Sequence, residues 1–315
     1  MNAREIKIFI ISAIIMASFA CLPLMDDGYW LALGVNIAMY AVLATSWALF
    51  SGPTNYISLA TAAFFGLGMY VVGLGLEYEL AAIPVLTVVA GVAGAVLAGV
   101  VGIATLRLSG VYFVIFTLGL AELIRQLVTW AQTNFGDLPG MYVFTDLTEK
   151  HIFWELVVLL AIVFVMGWLI QRSRLGFSMR IIGNDETVAT HCGINTARAK
   201  VILFMVSGAV AAIAGAIMAP RWTYIEPNSA FGAMISFQVV IMALLGGVHR
   251  LWGPLLGVIP FTILWELISV NFPNQTTLLL GVAFMLIVYF IPHGVVGRAE
   301  ELIAKFGKGK GGSHE

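Results

Sequence analysis

Charged residues are scarce: Asp, Glu, Lys and Arg make up 10 % of the 315 residues, against about 25 % in soluble globular domains. With 60 % of positions apolar, the chain could not cover a water-exposed surface with polar groups, which excludes a soluble fold. Cysteine is almost absent. Cys21 and Cys192 alone exclude a disulfide framework and a cysteine-rich metal site. The five histidines are scattered and form no His-Glu-x-x-His zinc motif. No Gly-x4-Gly-Lys-Ser/Thr phosphate loop occurs, so the chain does not carry its own ATPase site. The net charge of −1 gives no reason to expect nucleic acid as a partner.

What is present is a series of long apolar runs. A hydrocarbon core of about 30 Å needs roughly 20 apolar residues of helix, because unpaired backbone groups cannot be hydrated there. Cutting the chain at charges, prolines and polar clusters predicts ten spans: Ile8 to Leu24, Trp30 to Phe50, Ile57 to Leu76, Ile83 to Leu106, Val111 to Trp130, Ile152 to Ile170, Val201 to Pro220, Met234 to Val248, Pro254 to Val270 and Thr277 to Ile291. Placing the N-terminus inside puts thirteen of the sixteen Lys and Arg on the cytoplasmic side, as the positive-inside rule expects. Lys150 and Arg221 fall outside and Arg125 lies within a span. The predicted fold is an all-α polytopic membrane protein with both termini cytoplasmic. Residues 1–305 form the transmembrane domain and 306–315, Gly- and Lys-rich, a disordered tail. The first run also resembles a signal segment, although Ser18-Phe19-Ala20-Cys21 lacks the usual leucine of a lipobox.

Small residues recur at helical spacing. Gly91, Ala95 and Gly99 share one face of the fourth span, Gly94, Ala98 and Gly102 another, and Ser207, Ala211, Gly215 and Ala219 line the seventh. Such faces let helix backbones approach closely. The third span is preceded by Ser51-Gly52-Pro53-Thr54-Asn55, and the eighth is short and flanked by Pro227-Asn228-Ser229 and Gly246-Gly247. Ten spans divide into two halves of five, the second inverted, with the irregular spans third in each. Broken helices at matching places of inverted repeats point to a transport site, although Gly and Pro also simply end helices early. Asn55, Ser58, Thr61, Ser236 and Gln238 are the candidate polar lining of that pathway. Charges within spans are costly and need partners. Glu122 and Arg125 stand at i and i+3 and can pair with each other, or serve the pathway; Glu266 has no evident partner.

The longest charged interruption, residues 171–200, exceeds the 2–8 residues usual between bundle helices. Phe177, Ile181 and Val188 fall on one helical face, which predicts a short amphipathic segment, with Gly183 and Gly193 at turn or C-cap positions. An apolar stripe on a basic loop is matched to lipid headgroups or to a protein groove.

This loop carries a resemblance. Ser173-Arg174-Leu175-Gly176 through Arg180, then Asn184-Asp185-Glu186, Cys192-Gly193-Ile194-Asn195 and Ala197-Arg198-Ala199-Lys200, resembles the coupling loop of branched-chain amino acid ABC transporter permeases of the LivM type. Three further segments agree in order: Ile57-Ser58-Leu59-Ala60 with Ala63 to Tyr70, Leu106 to Phe113 with Ala121 to Arg125, and Leu245-Gly246-Gly247 with Leu251 to Pro254. The resemblance implies an inner-membrane permease subunit of an importer, with a loop that docks into a cytoplasmic ATPase. Phe177 and Ile181 would be apolar anchors, Arg174, Arg180 and Glu186 a polar rim, and Gly176 and Gly193 part of the loop's geometry. It also implies two ATPase subunits that bind ATP and Mg, a second permease of similar fold and a periplasmic binding protein, with no cofactor on this chain. The segment Ser51 to Tyr56 and the link Val248-His249-Arg250 depart from the family pattern, the first at the suspected pathway. The alternative from another class is a proton-coupled carrier using Glu122 or Glu266.

Overall fold

A computed structural model describes residues 28–106, 110–135 and 140–290. The first predicted span and the predicted tail lie outside the described residues. The described chain is helical almost throughout. Helix α1 spans Gly28–Thr54, α2 Thr61–Glu77, α3 Ile83–Thr105, α4 Val111–Phe135 and α5 Glu149–Arg172. Two helices follow in the polar loop, α6 at Arg174–Asn184 and α7 at Glu186–His191; then α8 covers Thr196–Met218, α9 Pro227–Ala230, α10 Ala233–Gly246, α11 Gly253–Asn271 and α12 Thr276–Phe290. A two-residue antiparallel ribbon pairs β1 (Met141–Tyr142) with β2 (Tyr224–Ile225).

Among the described residues seven helical stretches are long and apolar enough to cross a membrane, one of them Pro227–Gly246, which joins α9 and α10. The chain is a multi-pass membrane protein. The third and eighth predicted spans are short: α2 has 17 residues and α10 has 14. At 1.5 Å per residue, α10 alone reaches only about 21 Å, well short of the hydrocarbon thickness.

Packing is dominated by close helix crossings through glycine. A Cβ on Gly68 would stand 1.9 Å from the Ala212 carbonyl oxygen, and one on Gly215 would stand 2.0 Å from that of Phe65, so α2 and α8 touch backbone to backbone. Gly94 meets Ala212 and Gly208 in the same way, which joins α3 to α8 through the predicted small faces. Gly246 and Gly257 bring α10 and α11 equally close.

Helix α1 packs on α8, α10 and α11, while α8 packs on α1, α2 and α3; α2 also packs on α3 and α10 on α11. Exchanging α1 with α8, α2 with α10 and α3 with α11 turns this set of contacts into itself. The core lies along α1, buried from Leu31 to Thr54 on nearly every face. By contrast α4 is mostly uncovered.

Candidate functional site: the loop and the broken helix it holds

The predicted loop folds as two capped helices. The Ser173 hydroxyl caps α6 by accepting from the Gly176 amide, and the Asp185 carboxylate caps α7 by accepting from the Thr187 and Val188 amides at 2.7 and 3.2 Å. Those two backbone donors hold the Asp185 carboxyl below its ordinary pKa. Asn195 caps α8 by accepting from the Arg198 amide. Gly193 follows α7 with φ of +77°, the left-handed position predicted for it. Gly183 is not a turn residue. It lies inside α6, where a Cβ would meet the Pro53 carbonyl at 2.1 Å, so its missing side chain serves a close approach.

The break at Asp185 also separates Val188 from the helix that carries Phe177 and Ile181, which corrects the single face expected for them. Helix α6 turns Gly176, Met179 and Ile182 into the bundle. Arg174, Phe177 and Arg180 are exposed, Phe177 at 66 %, and Ile181 is half-buried against the core. The outward surface of α6 is therefore one aromatic ring between two arginines.

Two connections tie this loop to the start of α2. Asn55, with φ of +57°, donates its side-chain amide to the Gly183 carbonyl at 2.9 Å. Lys200, only 2 % exposed, donates to Glu186 at 2.7 Å, to the Leu106 carbonyl at 3.1 Å and to the Tyr56 hydroxyl at 3.2 Å, and its ammonium sits 4.5 Å from the centre of the Tyr56 ring. Tyr56 in turn donates to the second Glu186 oxygen at 3.0 Å. Partial burial pushes the Glu186 pKa up, but the hydrogen bonds and charge of Lys200, with the Tyr56 and Thr196 hydroxyls, bring it net below the ordinary value. Glu186 is thus held by Lys200 and Tyr56 while its side chain stays 40 % exposed.

Asn55 and Tyr56 open a non-helical stretch, residues 55–60, between α1 and α2. Its backbone is satisfied by side chains from three helices. The Trp47 indole of α1 donates to the Ser58 carbonyl at 2.7 Å, and Thr117 of α4 accepts from the Leu59 amide at 3.0 Å. Ser236 of α10 donates to the Leu59 carbonyl at 2.8 Å and accepts from the Ala62 amide at 2.9 Å. Ala62 is the second residue of α2, so Ser236 supplies from another helix the cap that Ala60 lacks. Trp47 lies seven residues before the end of α1, about 10 Å back along the axis. Broken backbone at that depth persists only because protein groups replace the water.

Of the five predicted lining residues, Ser58, Thr61, Ser236 and Gln238 are buried in this cluster, Gln238 accepting from Tyr40, while Asn55 is exposed at the loop contact. Glu122 and Arg125 pair side by side, and Arg125 also donates to Asn228 at the start of α9. The Glu122 side chain remains 55 % exposed on α4. Glu266 is partly buried on α11 and has no ionic or hydrogen-bonding partner among the described residues. Sequence reading missed Tyr56, Lys200, Trp47 and Thr117. Lys200 ends a quoted motif, and a lysine at the entry of an apolar run was the available signal.

At the opposite end of the bundle Arg221 pairs with Glu149 at 3.2 Å and donates to Asn36.

Residues 30–291 match the family described as branched-chain amino acid transport system / permease component. The chain is 25 % identical over 338 aligned residues to the high-affinity branched-chain amino acid transport system permease protein LivM of Escherichia coli K12, covering 97 % of this chain and 78 % of that protein. It is also 25 % identical to the autoinducer 2 import system permease protein LsrC of Photorhabdus laumondii, over 80 % of this chain and 76 % of that one. The permease LivH of E. coli K12 matches at 28 % over 49 % of each chain. No solved structure matches the chain at a significant level. The chain belongs to the branched-chain amino acid permease family and is a transport subunit, not an enzyme.

Proposed function

Proceeding from that membership, we propose that this chain is one membrane subunit of an ATP-driven importer of branched-chain or related hydrophobic amino acids. It sits in a bacterial inner membrane with both ends, and the α6–α7 loop, in the cytoplasm. The observation that carries the reading is the double tie of α6 and α7 to residues 55–56. An outward Arg174-Phe177-Arg180 surface is rigidly connected, through Gly183–Asn55 and Glu186–Lys200–Tyr56, to the broken start of a membrane helix.

The mechanism follows from those contacts. Phe177 fills an apolar cleft of a cytoplasmic ATPase subunit while the two arginines meet its polar edge. ATP and Mg are bound by the two ATPase subunits, not by this chain. When they close, α6 moves, and Asn55 and Tyr56 move with it. The displacement reaches Ser58 to Thr61, whose hydrogen bonds to α1, α4 and α10 can be exchanged without exposing bare backbone to lipid. The contact set that survives exchange of α1 with α8 and α2 with α10 supports two five-helix inverted halves, which alternate their opening around this seam.

The uncovered face of α4 supports a second permease packed against it. Glu122, Arg125 and Gln126 are linked on a helix that also exposes Val111, Ile115, Phe116, Leu123 and Leu127. Charges at that depth face protein or water rather than hydrocarbon. A second permease of similar fold against α4 encloses them and completes the pathway. A periplasmic binding protein selects the substrate. The match to an autoinducer 2 import permease makes autoinducer 2 the second reading of the substrate.

Reconstitution into proteoliposomes with the ATPase pair and binding protein tests this. Leucine uptake should require ATP and be lost when the ATPase subunits are omitted. Uptake that continues without them and collapses with a protonophore would favour a proton-coupled carrier, with Glu266 as the site of protonation.

A further inference from the structure

A cavity of about 800 Å³ lies between the ends of α1 and α5, helix α6 and the link 248–252. Its deep wall is apolar, including Leu49, Phe164 and Leu203. Its rim carries Arg172, Arg180 and Arg250, all exposed, and two tryptophans, Trp168 and Trp252. The Arg172 guanidinium lies 4.2 Å from the Trp168 ring centre, so at least one cation is held over the rim by a ring. Among the described residues that line the cavity there is no Asp or Glu.

Two further observations fix the chemistry of an occupant. Val165 lines the cavity and also belongs to the exposed apolar stripe Trp154, Val158, Ile162, Val165 and Leu169 on α5. The cavity is thus continuous with the surface that faces lipid, and an acyl chain can enter from the side. Tryptophans concentrate at headgroup depth, and the rim arginines stand at the same end of the bundle as the loop. On the orientation proposed above, that is the cytoplasmic leaflet, where anionic lipids and basic pockets between helices meet.

We propose that this cavity binds an anionic phospholipid, with the phosphate between Arg172 and Arg250 and an acyl chain along Leu49, Phe164 and Val165. A bare phosphate shares the headgroup chemistry but leaves the apolar depth unfilled. Because Gly176, Met179 and Arg180 of α6 form one wall, the lipid braces the loop against α1 and α5.

The test uses the full chain in nanodiscs of phosphatidylcholine, titrated with phosphatidylglycerol brominated on its acyl chains. Bromine quenches tryptophan fluorescence at contact. Brominated phosphatidylglycerol should quench more than brominated phosphatidylcholine at equal content, and the excess should vanish in Trp168→Phe/Trp252→Phe. Arg172→Gln and Arg250→Gln should each weaken the titration about fivefold, while circular dichroism confirms that the helices are retained. Inorganic phosphate should not reverse the quenching. Equal quenching by both lipids, or full reversal by phosphate, would overturn the proposal, the latter by making the site one for free anions. These outcomes do not depend on ATPase or transport, so they separate this inference from the functional reading; only the leaflet rests on it.

Discussion

The ammonium of Lys200 sits 2.7 Å from the carboxylate of Glu186, and both reach the hydroxyl of Tyr56. Lys200 begins a membrane helix, Glu186 belongs to the loop and Tyr56 to the break before α2, so one ionic cluster joins three parts of the chain. A buried ammonium needs this company, because an unpaired charge away from water is costly. Glu186→Ala leaves Lys200 with only the Leu106 carbonyl and the Tyr56 hydroxyl and ring. We expect a loss of about 1–3 kcal/mol in thermal unfolding, with Tyr56→Phe costing less, since it removes one neutral hydroxyl.

The same cluster gives a pH dependence. Glu186 has a folded-state pKa below its ordinary value. Its stabilisation is therefore fully present above the unfolded carboxylate value of about 4.3 and disappears as pH falls through the lower folded value. The difference in melting temperature between the native chain and Glu186→Gln should be constant from about pH 6 to about pH 8, and shrink below that carboxylate range. A gap that instead widened on acidification would contradict the assignment.

Helix α6 separates coupling from folding. Phe177→Asp alters an exposed ring, so expression and melting should be preserved while substrate-stimulated ATP hydrolysis and uptake are lost. Ile182→Asp and Met179→Asp place a charge where the side chains are buried, and should reduce the folded yield before any transport is measured.

Ser236 satisfies two backbone groups of the broken segment at once. Ser236→Ala orphans the Leu59 carbonyl and the Ala62 amide, with an expected cost of about 1–3 kcal/mol. Ser236→Thr retains the hydroxyl and should recover part of it. Calorimetry of the three chains in one detergent checks the order.

Glycines divide by what a methyl would meet. Gly68→Ala drives a Cβ into the Ala212 carbonyl and should abolish assembly of α2 on α8. Gly119→Ala, on α4, meets nothing within 4 Å and should be neutral or gain about 0.5–1 kcal/mol from helix propensity. Folded yield by size-exclusion chromatography distinguishes the two.

The sequence by itself determined the membrane class, because 60 % apolar composition with 10 % charge permits no soluble alternative. Apolar run length anticipated the seven helical stretches long enough to cross a membrane among the described residues, and the first predicted span, Ile8 to Leu24, lies outside those residues. The turn position of Gly193 was legible because a helix C-cap is a local interaction of a few residues. So was the Glu122–Arg125 pair, one helical turn apart. Tertiary structure alone decided the rest. Lys200 finds Tyr56 across 144 residues and Ser236 finds Leu59 across 177, distances in sequence at which periodicity carries no information. The inward face of α6 was likewise undetermined: a short amphipathic helix offers an apolar side to either neighbour, and tertiary contacts such as the approach of Pro53 to Gly183 and the Asn55–Gly183 hydrogen bond fix which side the bundle takes.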